Sequence, residues 1–389
     1  MAMACTTERR SSSTTPTPNK WTDELPADLL ELIVKKLAWN FVDIIRFKAV
    51  CSSWNRAARS YTSAPYHTQL PPQYPWLKLF TQRDKQQYPW PSHDHHSWCF
   101  FSLADNNVYK MDWDTSQGFG FHDRAVSFLG SSHGWLVVRE NKPPRGSSIH
   151  KVVLSSDPSR NNNFVVVHGR GGDNAAAWTD LGGYPWYGNS DIVFHNNGHL
   201  FALWIDHSIK VWDFGDTCND NIPTKIMNFQ PSMDLNVIGG GSMTKDERWF
   251  VDSMGHLLLV GRESSENDSR SGAVEFYIYK LNIAAKTWEK VECLPDCALF
   301  LGRNQPAMSL STQELPRLKE NSIYEWKLQK DCDYNFDIHV EVYNLETKLV
   351  KPYYTTRVPK SASCSPPVWI VPSAFGPIRE KIVLSTWLR

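Results

Sequence analysis

Beyond Ala58 the chain contains no long stretch with helical apolar spacing. Instead it runs through a series of short apolar or alternating segments: 99–103, 108–111, 136–138, 151–154, 164–167, 191–194, 199–203, 209–212, 249–251, 257–260, 274–279, 338–343 and 381–385. Polar or glycine-containing turns separate most of them. Segments this short, with period two, bury one face only by pairing into sheets, so everything after the first 60 or so residues reads as β-structure.

Two local patterns recur within this β-rich part. A turn with glycine leads into an apolar strand at 132–136 (SHGWL), 197–200 (NGHL) and 254–257 (MGHL), where glycine eases the tight reversal. A second pattern appears at 209–213 (IKVWD), 276–281 (FYIYKL) and 340–345 (VEVYNL), the last two followed by a turn and a further strand at 285–291 and 346–350. Repetition of that kind predicts successive four-stranded blades, hence a β-propeller of about six blades rather than a sandwich.

The N-terminal part is of another kind. Residues 1–20 are rich in Ser, Thr and Pro and read as a tail without a packed core. From Leu25 the apolar residues Leu25, Leu29, Leu30, Ile33, Val34 and Leu37 form one stripe at helical spacing. Pro26 suits a first helical turn, Asp28 the positive helix end, and Lys35 and Lys36 the negative one. A second stripe, Phe47, Val50, Cys51, Trp54 and Ala58, also reads as helix, split near Ser52-Ser53. Two or three short helices in about 40 residues approach the size at which a domain rarely stands alone. Periodicity leaves two readings open, a docking device or a helical cap packed on its own domain. Residues 62–76 carry four prolines and read as a linker, with the β domain from 77 to 389.

Composition narrows the function. Lys+Arg and Asp+Glu balance at 41 each, so no basic excess points to nucleic acid. No apolar run approaches the roughly 20 residues of a membrane span, and residues 1–20 lack a signal-peptide core. The expectation is a protein of the cytoplasm or nucleus with reduced thiols, its eight cysteines scattered and only Cys293 and Cys297 close together. His93, Asp94, His95 and His96 have metal-ligating side chains, but their Pro- and Ser-flanked setting reads as a solvated loop. The glycine-rich stretches 169–172 and 238–242 lack the Lys-Ser/Thr of a phosphate loop and read as surface turns. No cofactor is expected. Of the 17 tryptophans, Trp178, Trp204, Trp212, Trp249, Trp288 and Trp369 lie in or beside β runs and read as packing residues. Tyr184, Trp186 and Tyr187, in the glycine-flanked loop 182–189, are the candidates for an exposed recognition surface. The tryptophan content also leaves room for a sugar-binding or carbohydrate-active propeller with a helical cap.

Two resemblances sharpen this picture. Leu25-Pro26, Asp28-Leu29-Leu30, Ile33, Leu37, Asp43-Ile44, Phe47, Val50-Cys51 and Trp54 keep the order and spacing of an F-box. That helical module docks a substrate receptor onto the Skp-type adaptor of a cullin-based ubiquitin ligase. Residues 21–61 would then be the F-box. The resemblance implies adaptor contacts at Leu25, Pro26, Leu29, Leu30, Ile33, Leu37, Ile44, Val50, Cys51 and Trp54. Ser52 departs from the pattern, where a basic residue is common. Behind it, short pieces at 130–136, 152–158, 257–262, 298–302, 321–324 and 366–373 resemble, in order, the propeller-like domain of unknown function 295 of plant F-box proteins. This chain departs from that family at 139–148, where the family carries a longer segment, so one blade is expected to be incomplete. The whole implies a non-catalytic receptor subunit that recruits a target protein through the β domain. The expected outcome is a protein with no tightly bound metal and no structural disulfide, checked by elemental analysis and by an unchanged mass after reduction.

Overall fold

A computed structural model describes residues 25–63, 71–84, 95–112, 127–132, 135–139, 148–154, 166–171, 189–195, 198–204, 208–213, 224–232, 247–264, 274–303, 305–331, 335–360, 362–363, 366–372 and 381–384. The chain divides into two compact units, residues 1–71 and 72–389.

The first unit holds three short helices, α1 (Ala27–Leu37), α2 (Phe41–Lys48) and α3 (Ser52–Ser63). Pro26 stands immediately before α1, and its carbonyl accepts the N–H groups of Leu29 and Leu30, both at 3.1 Å. Asn40 caps α2: its side-chain oxygen accepts the Val42 N–H at 3.1 Å, satisfying a donor that the helix itself leaves free. The second apolar stripe is indeed split, but at residues 49–51 rather than at Ser52-Ser53. The N–H of Ala49 closes α2 on the carbonyls of Ile45 and Arg46, and the Cys51 carbonyl opens α3 by accepting the Asn55 N–H at 2.9 Å. Asn55 Nδ2 then donates back to the Lys48 carbonyl at 3.0 Å, which fixes the turn between the helices. Leu30, Val34, Ala38, Phe41, Val42, Ile44, Phe47, Ala58 and Tyr61 are buried, and the Phe47 and Trp54 rings meet at 4.5 Å.

Every regular element among the second unit's described residues is a β-strand. One five-stranded sheet joins β1 (Trp76–Asp84), β2 (His95–Ser102) and β3 (Asn107–Asp112) to β21 (Ala362–Ser363) and β22 (Val368–Ile370). A three-stranded sheet combines β4 (Ser127–Ser132) and β5 (Trp135–Arg139) with β23 (Lys381–Leu384), and β6 (Ser148–Leu154) pairs with β7 (Val166–Gly171) alone. Four strands in sequence order, β8 (Asn189–His195), β9 (His199–Trp204), β10 (Ile209–Asp213) and β11 (Thr224–Phe229), make the next sheet. Another four follow: β12 (Glu247–Ser253), β13 (His256–Ser264), β14 (Val274–Asn282) and β15 (Thr287–Val291). The last sheet has the order β17 (Met308–Ser311), β16 (Cys297–Leu301), β18 (Ser322–Lys330), β19 (Phe336–Asn344) and β20 (Leu349–Arg357). Four sheets of four or five strands thus pack in the manner of propeller blades, and the two smaller sheets lie on either side of the 139–148 stretch in the chain.

Apolar side chains fill the spaces between neighbouring sheets. Phe201, Leu203 and Val211 pack against Phe250, Leu257 and Leu259. Trp249, Val251 and Val260 pack against Leu299, Leu301 and Ile323. Leu77, Leu79, Phe101 and Trp369 pack against Phe300 and Tyr324. Polar groups tie the same seams. Asp191, buried in β8, accepts the N–H of Phe250 in β12 at 2.5 Å, and Ser253 and Ser309 share a hydrogen bond at 2.7 Å. Two of the three glycine turns are described. Gly198 and Gly255 have φ of 105° and 75°, and Met254 joins Gly255 at φ 50°, a two-residue hairpin of the primed type that matches strand twist.

Two expectations are corrected. His95 and His96 lie within β2, opposite Asp84 and Arg83 of β1, not in an irregular loop, because the β1–β2 ladder runs on past the buried residues. Gly169, Arg170 and Gly171 belong to β7, opposite Lys151, Ile149 and Ser148, where backbone pairing needs no side chain. Trp204, Trp212, Trp249 and Trp369 are buried as expected, and Trp288 is half-buried; Trp178 and 238–242 lie outside the described residues. Trp369→Ala is expected to cost about 3–5 kcal/mol, the usual loss for emptying a buried aromatic site, measured by denaturant unfolding followed by tryptophan fluorescence.

Candidate protein-docking surface

The helical unit keeps more apolar surface than its own core covers. On α1, Leu30 and Val34 are buried at 3% and 1%, whereas Leu29 and Leu32 are exposed at 46% and 58%. Adjacent pairs such as 29/30 and 33/34 make the apolar sector of α1 wider than one packing face. Its inner half packs and its outer half does not. Trp39 and Val50, in the turns that end α1 and α2, are each 47% exposed. Pro26 is exposed, and Leu25, Ile33, Leu37, Cys51 and Trp54 are half-buried.

The F-box positions therefore fall into three groups. Pro26, Leu29 and Val50 face outward and the half-buried residues form the margin. Leu30 and Ile44 (1% exposed) lie inside the unit and hold its helices in place. Cys51 Sγ and Ser53 Oγ share a hydrogen bond at 3.0 Å at the start of α3, and Asp43 pairs with Arg46 at 3.0 Å on α2. Burial, with the Glu31 carboxylate nearby, pushes the Tyr61 hydroxyl above its ordinary range, placing the end of α3 close to α1. Helical spacing in the sequence did not flag Leu32 and Trp39; both belong to the exposed set. Their signal was the count of large apolar residues on a helix too short to bury them all.

In the β unit, Tyr184, Trp186, Tyr187, His93 and Asp94 lie outside the described residues. Strand pairing gathers a charged group that no linear motif announces. Arg262 stands 3.6 Å from Glu247 and 3.5 Å from Glu325, Arg303 pairs with Glu247, and Lys327 lies between Glu325 and Glu341. Burial raises the Glu325 carboxyl above its ordinary pKa against the opposing pull of Arg262 and Lys327. Acids and bases alternate across the seam, which reads as a cross-link between sheets rather than a catalytic pair. Among the described residues no group of three or more His, Cys, Asp or Glu side chains is placed to hold a metal ion, and no helix is long and apolar enough to cross a membrane.

Comparison with known proteins agrees with this architecture. A sequence model of the KIB1-4 beta-propeller matches residues 100–344. The Arabidopsis thaliana protein named "Probable F-box protein At4g22060" is 24% identical, over 90% of this chain and 96% of its own length. F-box protein At2g05970 is 23% identical over 77% of this chain and 83% of its own, and F-box protein SKIP23 is 23% identical over 77% and 82%, both from the same plant. A solved 6-phosphogluconolactonase-like structure from Bacteroides fragilis overlays 76% of this chain and 97% of its own at 10% identity, with a TM-score of 0.31. The resemblance to a plant F-box protein with a propeller-like C-terminal domain therefore holds over most of the chain.

The exposed and buried sets should separate in a stability measurement. Leu29→Gln with Val50→Gln is expected to shift unfolding by no more than about 0.5 kcal/mol per site. Leu30→Ala or Ile44→Ala is expected to cost about 2–5 kcal/mol of the helical unit's stability. Hydrogen exchange of the helical amides reads both.

Proposed function

The chain belongs to the KIB1-4 beta-propeller family, and on that premise we propose that it is a substrate-receptor subunit of a cullin-type ubiquitin ligase. Residues 21–61 act as the F-box and dock a Skp-type adaptor, which links the chain to the cullin scaffold. The single observation that carries this reading is the outward apolar set of Pro26, Leu29, Leu32, Trp39 and Val50 on a unit that already has a core. Large exposed apolar residues gathered on one small module mark a protein interaction site. The half-buried Leu25, Ile33, Leu37, Cys51 and Trp54 form the margin of the contact, and Leu30 and Ile44 support it from beneath.

The β unit, residues 72–389, recruits the target protein. Loops that join packed strands are free to vary in sequence, and the 182–189 loop with Tyr184, Trp186 and Tyr187 is the first candidate for the contact. Six blades, one incomplete near 139–148, suit the order in which strands neighbour one another: β22 beside β4, then β6, β8, β12 and β17. In this reading the chain performs no covalent chemistry. It raises the local concentration of the target's lysines beside a charged ubiquitin-conjugating enzyme. It works in the cytoplasm or nucleus and needs no cofactor.

Adaptor capture by purified protein tests the proposal. Loss of each buried apolar anchor at such an interface typically costs about 2 kcal/mol or more. Leu29→Gln with Val50→Gln should therefore weaken binding of a Skp-type adaptor at least about a hundredfold while the protein stays folded. A chain beginning at Pro72 should bind no adaptor yet still capture the target. Undiminished adaptor binding by the folded double variant would remove the basis of the proposal.

A further inference from the structure

Two buried N–H donors converge at the seam between the sheet of β16 and β18 and the sheet of β22. Gln305 is 2% exposed and Trp326 6%. Gln305 Oε1 accepts the N–H of Trp369 at 2.9 Å, which fixes the orientation of its amide. Nε2 is thereby turned toward Gly302. A methyl group added at Gly302 would stand 1.5 Å from Gln305 Nε2 and 2.5 Å from Trp326 Nε1, so the two nitrogens are near neighbours. Neither meets an acceptor among the described residues.

These groups cannot satisfy each other. The indole nitrogen only donates, and so does the amide nitrogen. Turning the amide over would give Trp326 an acceptor but would set an NH₂ against the Trp369 N–H. Buried donors in folded proteins nearly always have partners, because an uncompensated one forfeits its hydration. The place calls for an acceptor the size of a single atom. Two carbonyls border it in the chain. Leu301 O accepts the Trp369 Nε1–H at 2.9 Å and Gly302 O accepts the Trp249 Nε1–H at 3.0 Å, and a carbonyl oxygen has two lone pairs. Both converging donors are neutral, which suits a neutral acceptor better than an anion.

We propose that one buried water molecule is bound beside Gly302, accepting N–H bonds from Gln305 and Trp326 and donating to a carbonyl of the 301–302 turn. Buried waters typically make about three such bonds to polar groups that the chain leaves over. The water extends the Gln305 link between β22 and the neighbouring sheet to Trp326 of β18. A side chain at 302 would strike the Gln305 amide that holds one of the two donors.

The experiment uses the full-length protein in two measurements. In ¹⁵N-labelled protein, the Trp326 indole N–H, assigned by its disappearance in Trp326→Phe, should show a through-space cross-peak to a long-lived water. In a crystal structure at a resolution that shows ordered solvent, one isolated peak should lie within hydrogen-bond distance of both nitrogens. That peak should be lost in Trp326→Phe if the variant crystallises; if that variant does not fold, the wild-type crystal alone decides. A direct protein acceptor on either nitrogen, a bound group other than water, or a dry site with no cross-peak would each overturn the proposal.

Discussion

Strand β1 holds the β unit together, because it pairs with strands from both ends of that unit. On one side it runs antiparallel to β2, which follows it in the chain. On the other, Trp76, Leu77 and Lys78 pair with Ile370, Trp369 and Val368 of β22. A sheet that needs residues almost 300 positions apart forms only when the intervening strands are in place, since the chain entropy of that closure must be met by packing. Trp369 is the centre of the arrangement. It is 1% exposed, its ring meets Phe300 edge-on at 5.2 Å, its indole donates to the Leu301 carbonyl, and its backbone N–H is held by Gln305. Apolar burial supplies the driving force, and the hydrogen bonds specify which strand fills the place.

The helical unit follows a different economy. Three helices of 11, 8 and 12 residues share a small core in which Ile44 and Phe47 of α2 and Leu30 and Val34 of α1 are almost fully covered. Helices this short owe their stability to packing rather than to intrinsic preference. Leu29, Leu32, Trp39 and Val50 keep about half of their large apolar surface in water. Separation of a covered face from an uncovered one lets the unit fold and still present a surface for a partner. The β unit has its cores between its own sheets, so the two parts have distinct sources of stability.

Much of this was legible in the sequence, for local reasons. Glycines 198 and 255 stand at positive φ at the turns where their spacing placed them, and the runs 276–281 and 340–344 are strands, the first buried on both faces from Phe276 to Tyr279. What escaped local reading depended on distant partners. The strand 322–330 begins with five buried residues and carries no clear alternation at its start, so its pairing parallel to β16, with β17 on the far side, could not be read from periodicity. Met254 and Lys286 occupy left-handed turn positions that their side chains do not advertise. In the helical unit, spacing identified the apolar stripe but could not divide Leu29 from Leu30. One residue changes the face by about 100° on a helix, and only the neighbouring helices decide which of two adjacent leucines is covered.

In the proposed arrangement this chain meets its adaptor through the first unit and leaves the β unit free for a target. Hydrogen exchange of the full-length protein, alone and saturated with a Skp-type adaptor, tests it directly. New protection should be confined to residues 25–63, strongest around Leu29, Leu32, Trp39 and Val50, with exchange in the sheets of residues 76–370 unchanged. Protection centred on the sheets, or no change anywhere at adaptor concentrations that saturate other F-box proteins, would contradict it.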